Sequence, residues 1–187
     1  VLYNFSAGAE ANATAAGVTA STFTTSGVTN LGTGSGNPSP GYEARAWLGG
    51  FNGGRYFTFT ITNTSDTDLT ISSMSFDARR TAPGTGPTNY AVRSSADAFA
   101  AHLKQGSLST GWNTYLADSL NFVVPPNGTH EFRIIGWGAN NQPPQGGHFN
   151  LDNVSLNGSF APAPPTYALV PGTGSTHNNL FQLDANG

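Results

Sequence analysis

Apolar and polar side chains alternate along most of the chain. In RYFTFTITN (residues 55–63), Phe57, Phe59 and Ile61 fall on one side of an extended backbone and Tyr56, Thr58, Thr60 and Thr62 on the other. That is the period of a strand with one buried face. DLTISSMSFDARR (68–80) keeps this alternation at Leu69 and Ile71, then resumes one residue out of phase at Met74, Phe76 and Ala78. The slip predicts a β-bulge near Ser72–Ser73. NYAVRS, LNFVVP, EFRIIGWG and HFNLDNVSLNG read as further strands. The punctuating APGTGP, PPNGT and NNQPPQGG are spaced as in an all-β sandwich rather than a βαβ protein. Asn127-Gly128 predicts a tight hairpin turn, because that dipeptide tolerates positive φ. GVTNLGTGSGNPSPG reads as a long Gly-rich loop, and its GTGSG lacks the Gly-Lys-Ser/Thr ending of a phosphate-binding loop. One segment conflicts with the rest: local rules read SSADAFAAHLKQG as a short helix, with a Ser cap, Lys104 in the last turn and Gly106 as a stop.

Composition narrows the function classes. At 187 residues the chain suits one sizeable domain with an appendage. Charged residues make up 9%, against roughly 25% in ordinary soluble domains, so the surface is neutral and rich in hydroxyls. The net charge is −3 with the basic residues scattered, which argues against nucleic-acid and anionic-membrane partners. The absence of Cys excludes disulfides, thiol catalysis and thiolate metal sites, and is compatible with secretion. No apolar run approaches the roughly 20 residues needed to insert into a membrane. A first residue of Val rather than Met fits a processed or excised chain. N-x-Ser/Thr sequons begin at Asn4, Asn12, Asn63, Asn127, Asn153 and Asn157.

The block YFTFTITNTSDTDLTISSMSFDARRTAPGTGPTNYAVRSSADAF, with FRIIGWGA and FNLDNVSLNG, resembles a β-sandwich module of secreted bacterial surface proteins of the PEP-CTERM-associated kind. The resemblance covers residues 1–160. It implies an all-β jelly roll like galactose-binding domains and carbohydrate-binding modules, on an extracellular surface or in a matrix. Members of the family commonly read Ser-x-Asp-Gly-Phe where this chain has Ser95-Ala96-Asp97-Ala98-Phe99, which implies a hairpin turn there. The tail YALVPGTGSTHNNLFQLDANG resembles the opening of a cadherin-like repeat whose later strands are missing. APAPPT (161–166) is a proline-stiffened linker, leaving 167–187 as an extended strand tail.

Candidate chemistry follows from both readings. In jelly rolls of this kind a last-strand Asp often helps hold a structural calcium, so the resemblance nominates Asp152, with Glu10 and nearby carbonyls as further hard-oxygen ligands. The alternative for Asp152 is a solvated or Arg-paired carboxylate. Arg79 and Arg80 either pair locally, Arg79 with Asp77 on the same strand face, or bind a sugar or carboxylate. Tyr56 and Trp137 are the aromatic candidates for stacking on sugar rings. Tyr56 leads, being opposite Phe57 and Phe59, and rim or core packing is the alternative for the tryptophans. His102, His130, His148 and His177 show no metal-binding spacing. No Gly-x-Ser-x-Gly elbow and no paired acid and base stand out, so a non-enzymatic role is expected.

The tail raises the functional question. Two strands cannot fold alone; they pack on their own body, belong to a longer chain, or add to a neighbour through Tyr167, Leu169, Leu180, Phe181 and Leu183. Repeated head to tail, strand addition makes a homopolymeric filament. The expectation is an extracellular structural or adhesive protein, partnered by copies of itself or by neighbouring surface domains. The alternative is a calcium-stabilised carbohydrate-binding module that recognises glycans.

Overall fold

The computed structural model describes residues 1–38, 40–81, 85–140, 147–163 and 165. Tyr167, Leu169, Leu180, Phe181 and Leu183 of the expected tail lie outside the described residues. The described chain forms β1 (Leu2–Tyr3), β2 (Val18–Ala20), β3 (Thr24–Ser26), β4 (Thr29–Gly34), β5 (Gly41–Arg45), β6 (Tyr56–Asn63), β7 (Leu69–Arg80), β8 (Asn89–Ser94), β9 (Lys104–Ser107), β10 (Asn113–Ala117), β11 (Phe122–Val124), β12 (Thr129–Trp137) and β13 (Phe149–Phe160). Sheet A runs β10-β7-β13-β5-β4, with β1 also on β13 and β11 also on β7; sheet B runs β2-β6-β12-β8-β9, with β3 also on β6. Every recorded strand pairing is antiparallel. The fold is all-β, as the alternation predicts, and a jelly-roll sandwich, as the resemblance of residues 1–160 implies.

The inner faces meet in one aromatic core. Phe57, Phe59 and Ile61 of β6 are buried while Tyr56, Thr58, Thr60 and Thr62 are only partly covered. Tyr3, Phe5, Phe23, Tyr42, Phe132 and Phe149 pack around them, with Phe5–Phe23 centroids 5.2 Å apart at 72° and Phe57–Phe149 centroids 5.2 Å apart at 80°. Tilted and edge-on contacts let ring edges meet ring faces. Trp47 is wholly buried and its indole N–H donates to the Ala44 carbonyl at 3.0 Å, so no polar atom of the ring is stranded. Removing one such ring costs about 3–5 kcal/mol.

The predicted bulge is present. Asn157 faces Ser73 and Gly158 faces Ile71, so Ser72 is the extra residue. A second bulge lies on β13, where Asn153 and Val154 stand between the Asp152–Asp77 and Ser155–Ser75 pairs opposite the single residue Phe76. Asn153 takes a φ of 46° there.

Three expectations change. The Asn127-Gly128 turn is tight, with Asn127 at φ 59° and the Gly128 N–H donating to the Pro125 carbonyl at 2.8 Å. It nevertheless carries the chain from β11 in sheet A to β12 in sheet B and closes no hairpin. The expected Gly-rich loop contains the whole of β4, and β5 begins at its last residue, Gly41. An edge strand is held by its backbone ladder and needs no apolar period. The helix read in SSADAFAAHLKQG reduces to one 3-10 turn, Ser95–Asp97, inside a hairpin that pairs Val92 with Lys104. Ser94 caps that turn, its hydroxyl oxygen accepting the Ala96 N–H at 3.4 Å, and Asp97 holds the bend that follows by accepting the N–H groups of Ala100 (3.2 Å) and Ala101 (2.7 Å).

Candidate functional site

The outer face of sheet B gathers the aromatic residues. Period-2 alternation on β12 turns Glu131, Arg133, Ile135 and Trp137 outward; the register sets Arg133 between Thr58 and Arg93, and Ile135 between Tyr56 and Ala91. The Arg133 guanidinium carbon lies 4.2 Å from the Tyr56 ring centroid and 3.4 Å from that of Phe99. Arg133 Nε donates to Glu131 Oε1 at 2.7 Å, and the same oxygen accepts the Thr58 hydroxyl at 2.9 Å. Tyr56 is therefore half-buried beneath a cation, not the open stacking ring expected from alternation. Strand period tells which face a side chain takes but not what a loop lays over it.

Trp137 keeps its role as a candidate. Its ring meets Phe51 edge-on at 5.1 Å and lies 6.3 Å from His102, while Phe51 and His102 are 5.3 Å apart. Phe51 is 41% exposed, a large apolar ring left in water. Beneath it Arg93 stacks at 4.7 Å, donates to the Phe99 carbonyl at 2.6 Å and donates to His102 Nε2 at 2.8 Å. An arginine only donates, so His102 Nε2 accepts, and its Nδ1–H donates to Gln105 Oε1 at 2.7 Å. Beside this cluster an open depression of about 400 Å³ is lined by Trp137, Asn89, Gln105, Gly106 and Ser107. An indole wall with two carboxamides and a hydroxyl offers stacking plus neutral hydrogen bonds, which is recognition chemistry for polar, uncharged ligands.

Sequence reasoning missed Phe51, Phe99, Arg93, His102, Gln105 and Asn89. Only Phe51 carried a signal: a lone aromatic ring in GGFNGG has no strand face to fill. Phe99, Arg93, His102 and Gln105 depend on how the 98–103 segment folds over β8 and β12, and Asn89 on the register that sets it opposite Trp137 and Ser107.

The other candidates lie on sheet A. Arg79 sits over the Trp112 ring at 5.1 Å and makes no ion pair with Asp77 among the described residues. Asp77 Oδ1 accepts the Thr114 hydroxyl at 2.6 Å and Oδ2 the Asn153 amide at 2.9 Å, so neighbouring strands satisfy the carboxylate first. Arg80 Nε donates to the Leu108 carbonyl at 3.1 Å. The structure thus separates Arg79 and Arg80 from Tyr56 and Trp137, which lie on the other sheet.

Asp152 is fully buried, and its oxygens accept the backbone N–H groups of Asn37 (2.6 Å) and Asn153 (2.7 Å). Burial pushes its carboxyl above the usual range, the two N–H donors oppose that, and nearby Asp77 adds to it. Glu10 is exposed and accepts the Thr22 hydroxyl at 2.6 Å. Among the described residues no group of three or more His, Asp or Glu side chains is disposed to hold a metal ion. Asn63 is buried with its amide on the Thr67 and Val124 carbonyls, which removes that sequon from glycan attachment.

No protein-family model matches the chain, and no curated protein matches it. Among solved structures it is similar to the K3 cleaved adhesin domain of Lys-gingipain from Porphyromonas gingivalis W83, at 13% identity over 83% of this chain and 97% of that one, with a TM-score of 0.45. It is similar to a CBM4 structure at 15% identity over 72% and 79%, TM-score 0.41. A third is the family 11 carbohydrate-binding module from Clostridium thermocellum, solved with a mixed-linked tetrasaccharide, at 14% identity over 78% and 91%, TM-score 0.37. At these identities the likeness concerns the fold alone.

Proposed function

We propose that this chain is an extracellular, non-enzymatic structural and adhesive subunit that assembles with copies of itself by strand addition through its C-terminal tail. The observation that carries this reading is that the two described sheets bury one continuous aromatic core built from residues between Tyr3 and Leu156. Tyr167, Leu169, Leu180, Phe181 and Leu183 come after a body whose inner faces already pack on each other, and a two-stranded tail is marginal by itself in water. The resemblance of residues 1–160 to PEP-CTERM-associated surface proteins, and of the tail to a cadherin-like repeat, supports the secreted, surface-borne setting. So does the charge-poor exterior. Head-to-tail strand addition does not close, so the product is a filament. Electron microscopy of the purified chain tests this. Fibres are expected from the full chain and only folded monomers after deletion of 166–187; monodisperse particles of the full chain at every concentration would sink the reading.

A second reading is favoured by the Trp137 depression: a glycan-binding module, with a structural calcium on Asp152 and Glu10. Affinity electrophoresis through neutral polysaccharides then retards the chain. Trp137→Ala weakens binding by about tenfold or more, on the order of 1.4 kcal/mol, whereas Tyr56→Ala, already covered by Arg133, changes it little. EDTA lowers the melting temperature and Ca²⁺ restores it if the cation is there. Unretarded migration on every polysaccharide tried would rule the second reading out.

A further inference from the structure

A recess of about 240 Å³ opens between the two sheets at one rim of the sandwich, walled by Val18 and Ile61 of sheet B and by Leu69, Ile71 and Leu156 of sheet A, with Ala15 at its lip. An apolar cavity of roughly 150 Å³ accommodates one benzene-sized group, so this one has room for one or two Leu or Phe side chains. Beside it, among the described residues, β13 has an edge without a partner strand. On one side, residues 157–160 pair with β7 through Asn157–Ser73, Gly158–Ile71, Ser159–Thr70 and Phe160–Leu69. On the other, β5 reaches only Phe149–Leu151 and β1 only Val154–Ser155. Val1 and Leu156 then exchange backbone bonds at 3.0 and 2.9 Å. Among the described residues no strand continues past that point. Because Leu156 turns both backbone groups toward β1, the period of two turns those of Gly158 and Phe160 to the same open side. Asn157, Gly158 and Ser159 are exposed.

We infer that this edge and recess form the acceptor site for residues 166–187 of a neighbouring copy, pairing along 157–160 and setting Phe181 and Leu183 between the sheets. The inference rests on the strand-addition reading above and names its docking surface. Three features select that occupant. Open backbone groups beside an apolar recess are what an incoming strand satisfies together. The tail's only charged side chain is Asp184, so its apolar positions enter without burying a charge. The sequence also disfavours a return of the chain's own tail: a hairpin must come back within about 4.8 Å of β13, and the Ala-Pro-Ala-Pro-Pro run that follows it favours extended backbone over so tight a reversal. The Ala161 N–H also donates to Asp68 at 2.8 Å, carrying the chain onward along β7.

Because the chain has no Cys, engineered thiols report cleanly. Ala15→Cys is combined in turn with Leu180→Cys, Phe181→Cys and Leu183→Cys in the full chain, and the oxidised products are run without reductant. A ladder of covalent multimers from at least one pair is expected. A cross-linked monomer instead would show the tail returning to its own recess and overturn the inference. No cross-link in a chain that still forms fibres would overturn the acceptor site while leaving strand addition standing; a wild-type chain that never assembles would overturn both. Ala15→Phe, which narrows the lip without touching the packed core, is expected to raise the concentration needed for assembly about tenfold at unchanged melting temperature.

Discussion

At the scale of single residues, loops decide which side chains of the outer faces stay available. Tyr56 and Trp137 share the outer face of sheet B, yet Arg133 and Phe99 cover the first while the second borders an open depression. His130 is the clearest titration consequence. It lies between Phe122 (5.1 Å) and Phe132 (4.9 Å), buried, with Nε2 lacking a hydrogen-bond partner among the described residues. Desolvation lowers its pKa below the ordinary 6.5, so the folded state holds it neutral where the unfolded chain takes up a proton. Stability is therefore present above about pH 6.5 and falls as pH drops through that value. Urea unfolding midpoints between about pH 7.5 and 5 should show this decline. His130→Leu should flatten it, and an unchanged slope in that variant would remove His130 as the cause.

At the scale of elements, the alternation was readable wherever a strand has one buried face. β6 matches it residue for residue, and the phase slip at Ser72 is the bulge seen against β13. It was unreadable for β4, whose side chains are mostly exposed and whose place is set by backbone pairing to β5. The β8–β9 hairpin lies between these cases. Ala98 adopts φ 57°, a left-handed conformation that costs a non-glycine residue about 1–2 kcal/mol. Ala98→Gly should relieve that strain, less the entropy Gly adds to the unfolded chain. The expected gain is about 0.5–1 kcal/mol, or a rise in melting temperature of about 2 °C by calorimetry. A fall in melting temperature would mean that the Ala98 methyl contributes more than its backbone strain costs.

For the whole molecule, the two sheets share one core, and unfolding should be a single cooperative event of the body. Deleting 166–187 should leave the monomer's melting temperature within about a degree of the full chain in dilute solution; a drop of many degrees would mean that the tail completes the body. The fold class was legible in the chain because burying one face of a strand imposes a period of two on local sequence. Trp137 was legible for the same reason, since its parity turns it away from the core. The rest of the candidate face was not. Phe51, Phe99, Arg93 and His102 meet through two loops whose paths no local period encodes, and the inter-sheet recess exists because β1 and β5 stop short along β13. Sequence alone determined the all-β class, the bulge at Ser72 and the uncharged exterior, each a matter of residue type and neighbouring spacing. Tertiary structure alone decided which rings are covered, which carboxylates are satisfied and which strand edge stays open, because those depend on contacts between segments far apart in the chain.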